Sequence, residues 1–275
     1  MPTILGELAG VEATSPEYMR LHVLSKLALP LSISISILFV KDPASALSLA
    51  LIAGLACKAA GIPLSSIKKY LAVIVSMSSF IVLSFALFTR MPGKVLYEAT
   101  LYKFKAEKGV FEWTIEVTDT SLTYASVFIL RIFAMVLSAI LLLGTVTDRD
   151  LIWGLRSLKL PFGACVAASL FFRGIQFFVA DFNTIREAMM ARGVDFAKIS
   201  LARKFLLYIN ALIPLLSLMI TRSYEVSLAL EARGIAPSSR ALSSYHRYGL
   251  SHSDYIVLVL SLSLSLAYIL WWWLL

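Results

Sequence analysis

Charged residues are scarce in this sequence of 275 residues. They make up 15% of it, whereas a soluble domain carries roughly a quarter. Hydrophobic residues account for 59% of the chain, and its mean hydropathy is +0.82. This composition excludes a disordered, fibrous or ordinary soluble protein and favours an integral membrane protein with several spans. The formal net charge of +8 then raises the question of which side of the bilayer carries it.

Cysteine and histidine are also rare. The two cysteines, Cys57 and Cys165, each lie in an apolar run and predict neither a disulfide framework nor a metal site. We interpret them as small buried hydrophobic residues. The three histidines are scattered, although His252 and Asp254 stand close together before the last apolar run. We interpret this pair as polar residues at the membrane interface rather than as metal ligands.

Motifs for catalysis and nucleotide binding are missing. The sequence contains no Gly-x-x-x-x-Gly-Lys-Ser/Thr loop, no His-Glu-x-x-His and no Gly-x-Ser-x-Gly. We therefore expect no catalytic residue, no ATP hydrolysis by this chain and no cofactor of its own.

Long uncharged runs supply the candidate spans, each of which needs about 20 mostly apolar residues. We predict five transmembrane helices at about 21–40, 44–60, 70–90, 120–147 and 254–275. The first two are short, and we expect their flanking lysines to reach toward the headgroups. They form a helical hairpin that turns at Lys41-Asp42-Pro43. The tryptophans at 271–273 suit the membrane–water interface at the end of the last span.

Two further apolar runs, 160–172 and 205–221, are ambiguous. If both crossed the bilayer, residues 181–204 would lie outside with five basic and three acidic residues, against the positive-inside tendency. If neither crosses, residues 148–247 form one cytosolic block with 13 basic and 7 acidic residues, a net charge of +6. We therefore predict a membrane domain over 1–147, a cytosolic module over 148–253, a cytosolic N-terminus and an external C-terminus.

The predicted external loop, 91–119, alternates polar and apolar residues in two stretches, Tyr102–Lys105 and Phe111–Val117. This pattern predicts a small β-hairpin with lysines opposite glutamates across the strands. We prefer a cap over the helix ends to a binding site as its role. The predicted fold class is an all-α polytopic membrane protein with about five spans, a cytosolic module of long helices and a small extracellular β-hairpin.

Two segments of the basic block end alike, in Ala191-Arg192-Gly193 and Ala232-Arg233-Gly234. Each closes a stretch suited to a helix of roughly 40 Å, from about Ala164 and Lys204. Glycine can take the left-handed conformation that ends a helix, and arginine complements the negative end of the helix dipole. A single Ala-Arg-Gly motif would be explained as an ordinary helix cap. Two copies place two guanidinium groups at two helix tips, where they suit capture of carboxylates of a protein partner.

With these motifs the chain resembles the T component of energy-coupling factor transporters, which import vitamins and metal ions at the expense of ATP. The resemblance covers nearly the whole chain. It is carried by the two Ala-Arg-Gly motifs and, outside them, by four further features: the break at 41–43, Ala60-Gly61-Ile62-Pro63-Leu64, the Arg131 helix, and Thr147–Leu151 running to Leu160-Pro161.

The resemblance implies a non-catalytic scaffold and energy-coupling subunit in the cell membrane. Its two long coupling helices would dock through Arg192 and Arg233 on two ATP-binding cassette ATPases, which bind the ATP and magnesium. Its membrane part would bind a substrate-binding S component that captures a vitamin or a transition-metal ion. No nucleic-acid partner is implied by the basic charge.

Three alternatives have to be weighed at this point. A stand-alone secondary transporter would show broken or polar helices near the midplane and often inverted repeats. A membrane anchor for a soluble complex would share the basic cytosolic block. A membrane-embedded enzyme would need clustered polar groups, and Arg131 is the one ionisable residue deep in a predicted span. Arg131 is a candidate functional residue, with a structural hydrogen bond to a neighbouring helix as the simpler role.

Overall fold

The computed structural model describes residue 11 and residues 13–88, 92–106, 109–158, 160–194, 200–235 and 249–274. Within these ranges the chain is mostly helical and contains one pair of strands. It divides into two compact units. The first consists of Met1–Thr147 with Tyr248–Leu275, and the second of Asp148–Arg247.

The described elements are numbered in chain order. They are α1 (Pro16–Met19), α2 (Val23–Phe39), α3 (Pro43–Ala59), α4 (Leu64–Phe88), β1 (Val95–Ala106), β2 (Gly109–Thr118), α5 (Asp119–Thr145), α6 (Asp148–Ser157), α7 (Phe162–Ala191), α8 (Leu201–Ala232) and α9 (His252–Leu274). The helices α6, α7 and α8 belong to the second unit, and the other elements belong to the first.

The core of the first unit lies where α2 and α3 pack against α5. Alanines on α3 keep that helix narrow, and Ala53 is fully buried, so the helix backbones can approach closely. The break between α2 and α3 falls at Lys41 and Asp42, as the sequence predicts, with Pro43 as the first residue of α3. Proline suits this position because its missing N–H is not needed in the first turn.

Among the described residues, five helices are long and apolar enough to cross a membrane: Ser65–Phe85, Asp119–Thr145, Phe162–Ala191, Leu201–Ala232 and His252–Leu274. The chain is therefore a multi-pass membrane protein. These five include α7 and α8, although the charge distribution assigns both helices to the cytosol. They do not include α2 and α3, which have only 17 residues each, although the charge distribution assigns both to the membrane. The cytosolic assignment of α7 and α8 stays a prediction, and we return to it below.

The predicted β-hairpin is confirmed. The strands β1 and β2 pair antiparallel, with Lys103 opposite Glu112 as expected. The rest of the register is less complementary, because Lys105 stands opposite Val110 and Glu98 opposite Glu116. The external position of this hairpin stays a prediction.

Buried polar side chains in the first unit correct two interpretations made from the sequence. Lys26 does not reach toward lipid headgroups. It is fully buried, and its Nζ donates a hydrogen bond of 2.8 Å to the carbonyl oxygen of Met19, at the end of α1. This lysine, at the edge of an apolar run, thus binds a backbone carbonyl instead of reaching the membrane interface.

Asp254 is a buried anchor, so its interpretation as an interfacial residue is wrong. It is 2% exposed, and its two carboxylate oxygens accept hydrogen bonds from the backbone N–H groups of His22, at 2.7 Å, and Ser251, at 2.8 Å. Its neighbour His252 is exposed. The carboxylate ties the start of α9 to the start of α2, a contact between residues 232 positions apart.

We expect Asp254→Ala to lower the free energy of unfolding by about 2–3 kcal/mol, because two backbone N–H groups, one of them buried, lose a charged acceptor. Thermal or denaturant unfolding of the purified protein in mild detergent measures this change. The matched control is His252→Ala, an exposed position two residues away, for which we expect less than about 0.5 kcal/mol. Equal losses in the two variants would contradict the anchoring role.

Candidate docking site for partner proteins

The helices α7 and α8 of the second unit pack through a charged and aromatic contact. Nη1 of Arg222 lies 2.9 Å from Oδ2 of Asp181, and its Nη2 donates to Oδ1 at 3.3 Å. The same guanidinium stacks on the ring of Phe177 at 4.5 Å from the centroid. Further along, the rings of Phe182 and Tyr208 are 5.9 Å apart. A two-point ion pair of this kind fixes the two helices in register.

The two Ala-Arg-Gly tips lie at opposite ends of this helix pair. Arg233, at the end of α8, lines the same groove as Leu170 in the N-terminal half of α7. Arg192 ends α7, 22 residues after Leu170, which is about 33 Å along a helix. The pair is therefore antiparallel, and its two arginine tips are separated by most of its length.

Each tip is built by the same backbone hydrogen bonds. At the end of α7, Gly193 has φ of +89°, and its N–H donates to the carbonyl of Met190 at 2.9 Å. The next N–H, of Val194, donates to the carbonyl of Met189 at 3.2 Å. These two bonds form a Schellman motif, which satisfies carbonyls that the helix itself leaves unpaired.

The end of α8 repeats this geometry. Gly234 has φ of +70°, and its N–H donates to the carbonyl of Glu231 at 2.9 Å. The N–H of Ile235 donates to the carbonyl of Leu230, also at 2.9 Å. The two copies of the motif in the sequence thus give two copies of one three-dimensional cap.

The end of α3 in the first unit carries the same cap, but the surroundings of its glycine differ from those at the two tips. Gly61 has φ of +72°, and the N–H of Ile62 donates five residues back at 3.1 Å. A Cβ added to Gly61 would lie 2.8 Å from the backbone nitrogen of Ser15. At Gly193 and Gly234 an added Cβ would meet no described atom within 4 Å. The cap in the first unit is packed around its glycine, whereas at both tips of the second unit the described residues leave room for a Cβ.

The structure brings the predicted docking residues together in two groups of three, one at each tip. All six residues are exposed: Ala191, Arg192, Gly193, Ala232, Arg233 and Gly234. Val194 and Ile235, which complete the caps and are half-buried, were not among the residues predicted from the sequence. Their signal in the sequence is a β-branched aliphatic residue directly after each glycine, since this position of the motif favours a hydrophobic residue.

Arg131 makes a structural hydrogen bond. Its Nη2 donates to the carbonyl oxygen of Val40, the residue at the C-terminal end of α2, and its guanidinium lies 6.0 Å from the ring centroid of Phe128. A cation at a helix C-terminus complements the dipole and satisfies a free carbonyl. This geometry agrees with the simpler role predicted for Arg131.

Cys57 and Cys165 are both buried, which confirms their interpretation as small hydrophobic residues. Among the residues that the structure describes, no group of three or more His, Cys, Asp or Glu side chains is placed to hold a metal ion.

A family model described as cobalt transport protein, CbiQ, matches residues 18–241, which include both helix tips. The chain belongs to the CbiQ family of cobalt transport proteins. Two transmembrane proteins of energy-coupling factor transporters, both named EcfT, are similar to it. The one from Brevibacillus brevis is 28% identical over 190 residues, covering 65% of this chain and 71% of the relative. The one from Streptococcus thermophilus is 27% identical over 190 residues, covering 64% and 71%.

Membership in the CbiQ family, together with the apolar helices, makes this chain a transmembrane T component of an energy-coupling factor transporter. The family resemblance inferred from the motifs is therefore confirmed. The relatives are named as membrane components of transporters and not as enzymes.

We expect Gly193→Ala and Gly234→Ala each to weaken the cap by about 1–2 kcal/mol, because a residue with a Cβ is strained at positive φ. Hydrogen exchange of the peptides containing Val194 and Ile235 should accelerate roughly fivefold or more. Gly174→Ala is the matched control. It lies inside α7 with no atom near the added Cβ, and we expect it to be neutral or stabilising. Unchanged exchange at both tips would show that the caps do not depend on glycine.

Proposed function

We propose that this T component couples ATP hydrolysis by two cytosolic ATPase subunits to substrate uptake through a substrate-binding membrane S component. The observation that carries the proposal is the pair of caps with the same backbone hydrogen bonds at opposite ends of the α7–α8 pair. Each presents an exposed arginine, at Arg192 or Arg233, beside a glycine at which the described residues leave room for a Cβ. Two similar helix tips that lie far apart suit docking to two similar partner subunits, one at each tip.

Each residue of the motif has a separate part in docking. The guanidinium of Arg192 or Arg233 offers paired donors, which bind a carboxylate in two-point fashion. Ala191 and Ala232 add little bulk beside the arginine, so a partner groove can close around the helix end. Gly193 and Gly234 allow the chain to leave the helix at once. ATP and magnesium bind to the partner subunits, since this sequence has no phosphate-binding loop.

The antiparallel arrangement supports a position along the cytosolic membrane face for α7 and α8. If the pair crossed the bilayer, its two tips would face opposite compartments. ATPases could then reach only one of them, because ATP is used on the cytosolic side. Crossing would also place the half-buried pair of Asp181 and Arg222 well inside the hydrocarbon, where charged residues are costly.

Exposed apolar side chains on α8 fit this position. Phe205, Ile213 and Ile220 are each about 70% exposed, and a helix in the cytosol needs a cover for such a face. The membrane face and the S component provide that cover. A rigid-body movement of the pair, held in register by Asp181 and Arg222, would carry the motion of the ATPases to the S component.

The proposed orientation follows the charge. The second unit is basic and belongs to the cytosolic side, which places the N-terminus inside and the C-terminus and the β-hairpin outside. The transported substrate is a vitamin or a transition-metal ion. The family description favours the metal ion by its mention of cobalt.

We expect the double variant Arg192→Glu with Arg233→Glu to reduce co-purification of the ATPase subunits roughly tenfold or more, because attraction to carboxylates becomes repulsion. ATP-dependent uptake should be lost in parallel. Arg149→Glu with Arg203→Glu is the matched control, since both arginines are exposed and neither belongs to a tip. The proposal is wrong if the tip variant assembles and transports normally. Uptake by this chain without ATPases would instead favour a secondary transporter.

Cysteine labelling tests the position of the helix pair. In a background with Cys57→Ala and Cys165→Ala, we expect Ala191→Cys and Ala232→Cys to react with a membrane-impermeant maleimide in inside-out vesicles and not in intact cells. Lys94→Cys, in the proposed external loop, should behave in the opposite way. Labelling of the two tips from opposite sides would show that α7 and α8 cross the bilayer. The chain expressed without partners avoids shielding of the tips.

A further inference from the structure

A groove of about 680 Å³ runs between α7 and α8, next to the Arg233 tip. Its walls are mainly apolar. They are formed largely by Leu170, Phe177, Met219, Val226 and Leu230. This volume falls in the range of pockets that hold small organic molecules, and the docking role of the tip does not account for it.

Three arginines line this groove: Arg173, Arg222 and Arg233. Arg173 lies 5.4 Å from the ring centroid of Phe177, the ring that also carries Arg222 at 4.5 Å. Only Arg222 is engaged by a carboxylate among the described residues, that of Asp181, and no Asp or Glu lines the groove. Two positive charges beside an apolar cleft are therefore left without a described acidic counterpart.

We propose that the groove binds an acidic phospholipid, whose phosphate is held by Arg173 and whose acyl chains lie along the apolar walls, while Arg233 stays available for docking. Guanidinium groups bind phosphate oxygens through paired donors, and basic pockets between helices on the cytosolic side take up acidic headgroups. The hydroxyl groups of Ser223 and Ser227, which also line the groove, add donors or acceptors for the headgroup.

A lipid fits the groove better than an acidic peptide does. The lining combines a small number of cationic groups with a long apolar surface, which matches one charged headgroup and its hydrocarbon chains. The proposal rests on the position of α7 and α8 at the cytosolic membrane face, where acidic lipids lie within reach. A lipid seated here would tie the helix pair to the membrane next to one of its two docking tips.

Native mass spectrometry of the full chain in mild detergent tests the site. With phosphatidylglycerol added, we expect bound lipid on the wild-type chain and a decrease in apparent affinity of about fivefold or more for Arg173→Gln, since one charged donor group is lost. Phosphatidylcholine should bind more weakly to the wild type and equally to both chains. Arg203→Gln, an exposed arginine outside the groove, is the matched control and should bind phosphatidylglycerol like the wild type.

Three outcomes of this experiment would overturn the proposal. Equal binding of phosphatidylglycerol to the wild type and Arg173→Gln would exclude the groove as its site. An equal decrease in Arg173→Gln and Arg203→Gln would indicate diffuse attraction by surface charge. Displacement of the lipid by millimolar inorganic phosphate would indicate a site for the free anion.

A photo-crosslinking residue tests the occupant in the assembled transporter. Ser227→benzoylphenylalanine places the reactive group in the groove, and we expect an adduct with the mass of a phospholipid. An adduct with a partner subunit would show that an acidic protein segment fills the groove and would overturn the lipid. These results are independent of docking, because Arg173→Gln leaves both tips intact and should co-purify the ATPases like the wild type. Failure of the lipid proposal and failure of the docking proposal are therefore distinguishable, because Arg173→Gln tests lipid binding and the tip variants test assembly.

Discussion

The need to satisfy the backbone groups at helix ends organises this protein. A helix leaves its last carbonyls without partners, and three helices here solve the problem in the same way, with a left-handed glycine followed by a β-branched residue, at Gly61, Gly193 and Gly234. In the first unit this cap is covered by the segment around Ser15. At the two tips of the second unit the described residues leave room for a Cβ, so the same cap serves packing in one unit and the proposed docking in the other.

The same constraint explains the polar residues buried in the first unit. Asp254 accepts from the N–H of His22 just before α2, Lys26 donates to the last carbonyl of α1, and Arg131 donates to the carbonyl that follows α2. Each charged group meets a helix end, where the dipole has the opposite sign. In an apolar environment an unsatisfied backbone group costs several kcal/mol, so these hydrogen bonds stabilise the fold.

Length and charge give different accounts of which helices cross the membrane. Composition makes α7 and α8 suitable for crossing, and they exceed α2 and α3 in length. The antiparallel packing of α7 and α8 is a further observation, which neither composition nor charge provides. If both tips dock partners in one compartment, as proposed, they cannot end on two sides of a bilayer, and the proposal therefore requires a helix pair lying along the membrane. In that proposal the apolar surface of the pair faces lipid and the S component.

The sequence by itself determined the membrane class, the break at Asp42, the β-hairpin and the family, through the repeated Ala-Arg-Gly. These features depend on local runs, spacing and turn chemistry, which the sequence displays directly. The burial of Asp254 and Lys26, the partner of Arg131 and the groove beside Arg233 could not be predicted in this way. Each depends on segments that are distant in sequence or lie on different helices, and only the packing of the helices decides which helix end a charged side chain meets. The open space around Gly193 and Gly234, unlike the packed space at Gly61, is also a property of the tertiary structure, because the same local motif fits both surroundings.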